Sequence, residues 1–180
     1  MPPPRVARLA LLAPCGDSPR LHGGKAGYFA VHAPHAAATQ TVLRRGDRLL
    51  RASLRALLHH PEVVSDELVA QVRALLARPD AQAAWSAFQH HEAVWSGPRT
   101  YLAGQLAGIS CPVLLSGAHD RLIPPDDVHA AAAHIPHGRF VLVAGAGHWL
   151  PRDAPGQVAD QLLGFLAAAP AAPATPADGP

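Results

Sequence analysis

Two short apolar runs, each closed by a glycine-bearing loop that carries an ionisable residue, constrain this fold more than any other feature. V-L-L at residues 113–115 is closed by Ser116 and leads into G-A-H-D-R-L-I-P at 117–124. F-V-L-V at 140–143 leads into G-A-G-H-W-L-P at 145–151. Apolar runs this short, bounded by breakers, fit strands buried on both faces. A third run, V-A-R-L-A-L-L-A at 6–13, is closed by Pro14, Gly16 and Asp17 and reads the same way, with a short buried helix as the competing reading. Pro125, Asp126 and Asp127 open a helix that runs to about Ile135, with proline in the first turn. Val158, Leu162, Phe165 and Leu166 form the apolar stripe of a last helix. Strands alternating with helices predict an α/β chain built on a parallel sheet.

The middle of the chain has a different texture. Residues 14–27 are rich in Pro and Gly and read as loop. From 34 to 109, Leu, Ala and Arg dominate and strand-like runs vanish. Leu49, Leu50, Leu54, Leu57 and Leu58 recur at helical spacing, as do Leu68, Val69, Val72, Leu75 and Leu76. Ser65 is a good N-cap for the second group, and Asp66 and Glu67 fall where the helix dipole favours negative charge. Pro79 ends that helix, and Asp80 is placed to cap the next, which carries Trp85 and Phe88. The expected organisation is a core from residues 1–33 and 110–166, a helical insertion of three to five helices over 34–109, and a low-complexity, disordered tail over 167–180.

Composition narrows the function classes. The 180 residues are 49% hydrophobic and 16% charged, enough apolar material for a buried core. Net charge is +2, and no basic run exceeds the pair Arg44 and Arg45, which argues against nucleic acid or an anionic membrane as partner. No stretch approaches the ~18 apolar residues of a membrane span, and the N-terminus lacks the apolar segment of a secretory signal. Two cysteines, Cys15 and Cys111, form no CxxC pair or disulfide framework, which fits a reducing cytoplasm. The Ala, Arg, Gly and Pro richness suggests a bacterial gene of high GC content. Oligomeric state leaves no trace in the sequence.

In open α/β sheets, function sits in loops at the carboxyl ends of the strands. Asp120 and His148 each fall just past a strand, and one helix and one strand separate them, so their loops should emerge side by side. A carboxylate there can accept the ring N–H of His148, fix its tautomer and stabilise its cation. An imidazole so held can serve as general base towards a nucleophile. Gly147 permits close backbone approach or a positive φ just before His148.

With both loops in this order, the chain resembles the α/β-hydrolase family. G-A-H-D-R-L-I-P looks like the family's acid loop, and G-A-G-H-W-L-P-R-D-A-P with its final helix looks like the histidine loop. R-V-A-R-L-A-L-L-A-P is similar to the strand that follows the nucleophile-bearing helix, and the helical insertion is similar to the family's cap. The resemblance spans roughly residues 5–166. It implies His148 as base and Asp120 as the acid that orients it, with Asp17 as a rival acid because some members place it after the earlier strand. It implies a small-molecule substrate, no organic cofactor and no metal. The chemistry implied is hydrolysis of a small carboxylic ester or C–C bond, with epoxide or carbon–halogen hydrolysis as alternatives.

One departure from the family pattern is decisive for that expectation. The family's order is nucleophile, acid, histidine, with the nucleophile in G-x-S-x-G on a strand-to-helix turn. The sequence contains no G-x-S-x-G; Gly108, Ser110 and Pro112 come nearest and precede a strand. Three strands are also few beside the usual five or six or so. The expectation is a truncated α/β-hydrolase fold whose nucleophile half lies upstream, with G-x-S-x-G or G-x-D-x-G about 25–35 residues before Val6. The competing expectation is a non-catalytic remnant or binding protein.

Other motifs carry less. His22, Gly23 and Gly24 look like an H-G-G oxyanion motif but follow the wrong strand. Gly23 to Ala26 is not a phosphate loop, because Ala26 replaces Ser or Thr. His91 and Glu92 begin an H-E-x-x-H that fails at Trp95, and the adjacent pairs His59–His60 and His90–His91 point to different helix faces. Tyr28, Trp85, Phe88, Trp95 and Tyr101 are candidates for lining a substrate pocket or for ordinary packing of insertion on core.

Overall fold

The computed structural model describes residues 6–16, 18, 24–32, 46–120 and 122–168. In chain order it runs β1 (Leu9–Leu12), α1 (Gly24–His32), α2 (Asp47–Leu57), α3 (Asp66–Leu76), α4 (Pro79–Glu92), β2 (Ala93–Val94), β3 (Gly97–Pro98), β4 (Val113–Ala118), α5 (Pro125–Ala133), β5 (Gly138–Val143), α6 (Leu150–Asp153) and α7 (Pro155–Ala167). Short 3-10 turns at Pro61–Val63 and Ala103–Gly108 join some of these. Asp17, His22, Gly23, the boundary near residue 33 and the tail beyond Ala168 lie outside the described residues.

The sheet has the order β1-β4-β5, all parallel. Leu9 pairs with Val113 and Leu12 with Ser116; Val113 pairs with Gly138 and Ala118 with Val143. The carboxyl ends of all three strands therefore lie on one edge, where an α/β sheet places its functional loops.

The expectation of strands buried on both faces holds for β4 alone, whose six residues are all buried. β1 is half-buried throughout, and β5 exposes Arg139 and Leu142. The reason is position: β4 lies between two neighbours, whereas each of the others has one neighbour among the described residues.

Alternating side chains of β4 serve two cores. Val113 and Leu115 pack with Ile123, Val128, Ala131, Ala132 and Ile135 around α5. Ala118 joins Val143, Ala146, Leu150, Ala154 and Val158 beneath α7 on the other face. Ser116 is fully buried on that face, and its Oγ donates to Gln161 Oε1 of α7 at 3.1 Å, so its hydroxyl is not left unpaired. A third core unites α2 and α3 through Leu50, Leu54, Leu58, Val64, Leu68 and Val69, with Trp149 packed against it.

Local signals account for most helix starts. Ser65 Oγ accepts the Leu68 N–H at 3.1 Å, as expected of an N-cap. Pro125 occupies the first turn of α5. Asp80 does not cap α4: Pro79 already sits in the first turn, Arg78 holds the cap position, and the Asp80 carboxylate pairs with Arg78 at 2.5 Å. That guanidinium lowers the Asp80 pKa.

Two elements depart from the sequence expectation. Gly24–His32 is helical, although the glycines argued for loop to residue 27. Tertiary contacts override them: Tyr28 stacks edge-on against Trp95 at 5.6 Å, and His32 Nε2–H donates to the Ala93 carbonyl at 2.8 Å. The second is the antiparallel β2–β3 pair inside the helical stretch. It is held by Glu92, whose carboxylate accepts the Thr100 hydroxyl at 2.7 Å and the Thr100 N–H at 2.9 Å. These bonds, the hydroxyl's first, pull the Glu92 pKa below its ordinary value.

Candidate active site

Asp120 and His148 meet at the carboxyl edge of the sheet. Asp120 lies two residues beyond β4, and His148 lies five beyond β5. The two turns are joined where the His119 N–H donates to the Ala146 carbonyl at 3.0 Å. His148 Nδ1–H donates to Asp120 Oδ2 at 2.6 Å. The other oxygen, Oδ1, accepts the Leu122 N–H at 2.7 Å, so both carboxylate oxygens are engaged. The Asp120 side chain is 3% exposed, whereas the His148 side chain is 28% exposed. A dry carboxylate thus holds one ring nitrogen while part of the ring still reaches solvent.

This arrangement sets what the pair can do. With the proton on Nδ1, Nε2 is left with a lone pair and is the site of proton uptake. A proton gained at Nε2 leaves an imidazolium whose charge Asp120 offsets across a short, charge-assisted hydrogen bond. The charge is little weakened by solvent there, because the carboxylate is buried.

The backbone behind His148 is tightly fixed. Gly145 has φ +72°, a left-handed conformation that turns the chain sharply out of β5. Gly147 serves the other purpose expected of it, close approach: a Cβ there would sit 2.7 Å from the Leu57 carbonyl oxygen and 2.9 Å from the His59 nitrogen. The Trp149 N–H also faces the Leu57 carbonyl, at 3.4 Å.

A residue that sequence reasoning passed over completes the frame. The Asp153 carboxylate accepts three backbone N–H groups: Gly147 at 2.8 Å and His59 at 2.9 Å on Oδ2, and His60 at 3.0 Å on Oδ1. The available signal was weak, an acidic residue five positions past the histidine, and its partners are main-chain groups that no motif reveals.

The rival acid, Asp17, lies outside the described residues. Most of the aromatic candidates make ring contacts of their own. Trp85 stacks on Phe88, Tyr28 and Phe29 pack against Trp95, and Trp85, Phe88, Trp95 and Tyr101 are each about half exposed. An apolar groove of about 390 Å³ runs instead between α3 and the histidine loop, lined by Leu68, Val72, Leu75, Trp149 and Pro151 with Gln71 and Arg152 at hand. Among the described residues, no three His, Cys, Asp or Glu side chains converge as metal ligands, and no helix is long and apolar enough to cross a membrane.

Comparison with known proteins agrees with this architecture. A 73-residue stretch is 41% identical to the pimeloyl-[acyl-carrier protein] methyl ester esterase of Xanthomonas campestris pv. campestris, covering 40% of this chain and 29% of that enzyme. A thermophilic esterase from Thermogutta terrifontis superposes over 90% of this chain with a TM-score of 0.60 at 22% identity. The meta-cleavage product hydrolase of Pseudomonas fluorescens IP01 does so over 90% with a TM-score of 0.67 at 16% identity. The chain spans 56% of the length of each of these two structures. The model of the alpha/beta hydrolase family matches residues 3–161. With nearly the whole length matched and the parallel sheet and its helices in place, this chain belongs to the alpha/beta hydrolase family.

Proposed function

We propose that this chain supplies the base and the orienting acid of a nucleophile–histidine–acid triad that hydrolyses a small carboxylic ester. The observation that carries the reading is the 2.6 Å hydrogen bond from a part-exposed imidazole to a carboxylate shielded from water. His148 is the general base through Nε2, and Asp120 fixes its tautomer and compensates the charge it acquires. Residues 1–33 and 110–166 form the hydrolase core, and residues 34–109 form a cap over the site. The two cysteines are free, the state that a reducing cytoplasm maintains.

The chemistry follows the family's two-step course. Nε2 takes the proton of the nucleophile as that residue attacks the ester carbonyl. The imidazolium then gives the proton to the departing alcohol. In the second step, water attacks the acyl intermediate, Nε2 takes its proton, and the acid product is released as the nucleophile recovers its proton. These steps call on nucleophilic attack and proton transfer, and the reading invokes no metal and no organic cofactor. An ester is favoured over a C–C bond by the stretch similar to a methyl ester esterase. Epoxide or carbon–halogen hydrolysis would need a carboxylate nucleophile in place of a hydroxyl.

The sequence holds no G-x-S-x-G, and the proposed triad takes its nucleophile from a segment outside these residues. In a polypeptide that includes that segment, His148→Ala and Asp120→Asn should each lower kcat for a small methyl ester by about 10⁴-fold or more. The same absence favours a second reading, a non-catalytic remnant or binding protein. Ester turnover absent from the longer polypeptide would select that one, and turnover unchanged by both substitutions would refute the proposed roles of His148 and Asp120.

A further inference from the structure

We infer that Asp153 is a positioning residue for His148, one that ties the histidine's place to the helical insertion. The inference rests on the proposed role of the Asp120–His148 pair and adds to it. The hydrogen bonds of Asp153 go to main-chain nitrogens, not to the imidazole. It acts on the peptide nitrogen immediately before His148, through the Gly147 N–H at 2.8 Å. The same carboxylate binds the His59 and His60 N–H groups just past the end of α2, in a segment 93 and 94 residues away in sequence.

Those two nitrogens have no partner inside α2, which ends at Leu57. A carboxylate can satisfy three such donors at once because it offers about four lone-pair sites. Charge-assisted bonds of this kind are the stronger ones. The clasp closes over the gap that Gly147 leaves by having no Cβ, and there the Leu57 carbonyl comes close. Trp149, on the other side of His148, is packed into the α2–α3 core. The imidazole is therefore held between two attachments to the insertion, and Asp120 receives a ring already delivered to its place. A shift of the insertion that broke the His59 and His60 bonds would loosen the backbone bearing His148.

The test is nitrogen-resolved NMR of the full chain, comparing the wild type with Asp153→Ala and the isosteric Asp153→Asn. In Asp153→Ala, amide exchange at Gly147, His59 and His60 should accelerate by about tenfold or more, the scale of losing one hydrogen bond to a charged acceptor. The protected Nδ1 proton of His148 should be lost or broadened, although Asp120 is intact. Asp153→Asn has one acceptor oxygen for three donors and should show the same losses to a smaller degree. If Asp153→Ala does not fold, Asp153→Asn carries the test. A folded variant with exposed Gly147, His59 and His60 amides but an unchanged Nδ1 proton would overturn the proposal. Asp120→Asn separates the two ideas. If it leaves that proton unchanged, the pair itself is misread; if it removes the proton and neither Asp153 variant does, the fault lies with Asp153 alone.

Discussion

At the scale of single residues, the candidate site depends on absences as much as on side chains. Gly147 admits the Leu57 carbonyl to where a Cβ would stand. Gly147→Ala should therefore force the backbone apart and cost about 1–3 kcal/mol, the range for overpacking a tight site. Urea denaturation followed by circular dichroism would read this as a lower midpoint with an unchanged slope. Asp120 and His148 were legible in the sequence because each stands just past an apolar run, and a parallel sheet brings such positions to one edge. Gly147 was legible as a point of close approach, though what approaches it was not. Asp153 was not legible at all. Its partners are main-chain nitrogens, which every residue possesses, and they lie in a segment more than ninety residues away. Sequence spacing carries no record of such a contact.

At the scale of elements, the strongly periodic segments were the readable ones. α2 and α3 follow their leucine spacing, and α3 begins where Ser65 caps it. Ser65→Ala should cost about 1 kcal/mol and lower the thermal midpoint by about 2–4 °C in a chain of this length. α1 and the β2–β3 pair were unreadable for a common reason. Glycine-rich Gly24–His32 has poor helix propensity, and strands of two residues have no period to detect, so long-range contacts decide both. Glu92 gives that region a pH dependence. Its pKa is lowered because the ionised carboxylate accepts both Thr100 donors. Its contribution is therefore complete above the ordinary carboxylate range and is lost as pH falls through its depressed folded value. Thermal melting of the wild type and Glu92→Gln should show a gap at neutral pH that narrows as the solution is acidified. A gap that widens on acidification would contradict the assignment.

At the scale of the whole molecule, the α/β class and the parallel sheet follow from alternating runs, and the structure adds the order β1-β4-β5 and the unequal burial of its strands. Sequence could not foresee that inequality, because burial depends on which strand lies in the middle. The same scale governs activity. On the proposed reading the chain supplies a base and its orienting acid without a nucleophile, so these 180 residues alone should cleave a p-nitrophenyl ester no faster than the uncatalysed rate. Turnover above that rate, abolished by His148→Ala, would show that a nucleophile is present after all. The central claim remains that a buried carboxylate sets the state of one imidazole. Nitrogen NMR of the His148 ring tests it most directly. The account predicts that the neutral form of the ring carries its proton on Nδ1, moving to Nε2 in Asp120→Asn, where the amide NH₂ faces the ring. A ring protonated mainly on Nε2 in the wild type, and indifferent to Asp120→Asn, would contradict it.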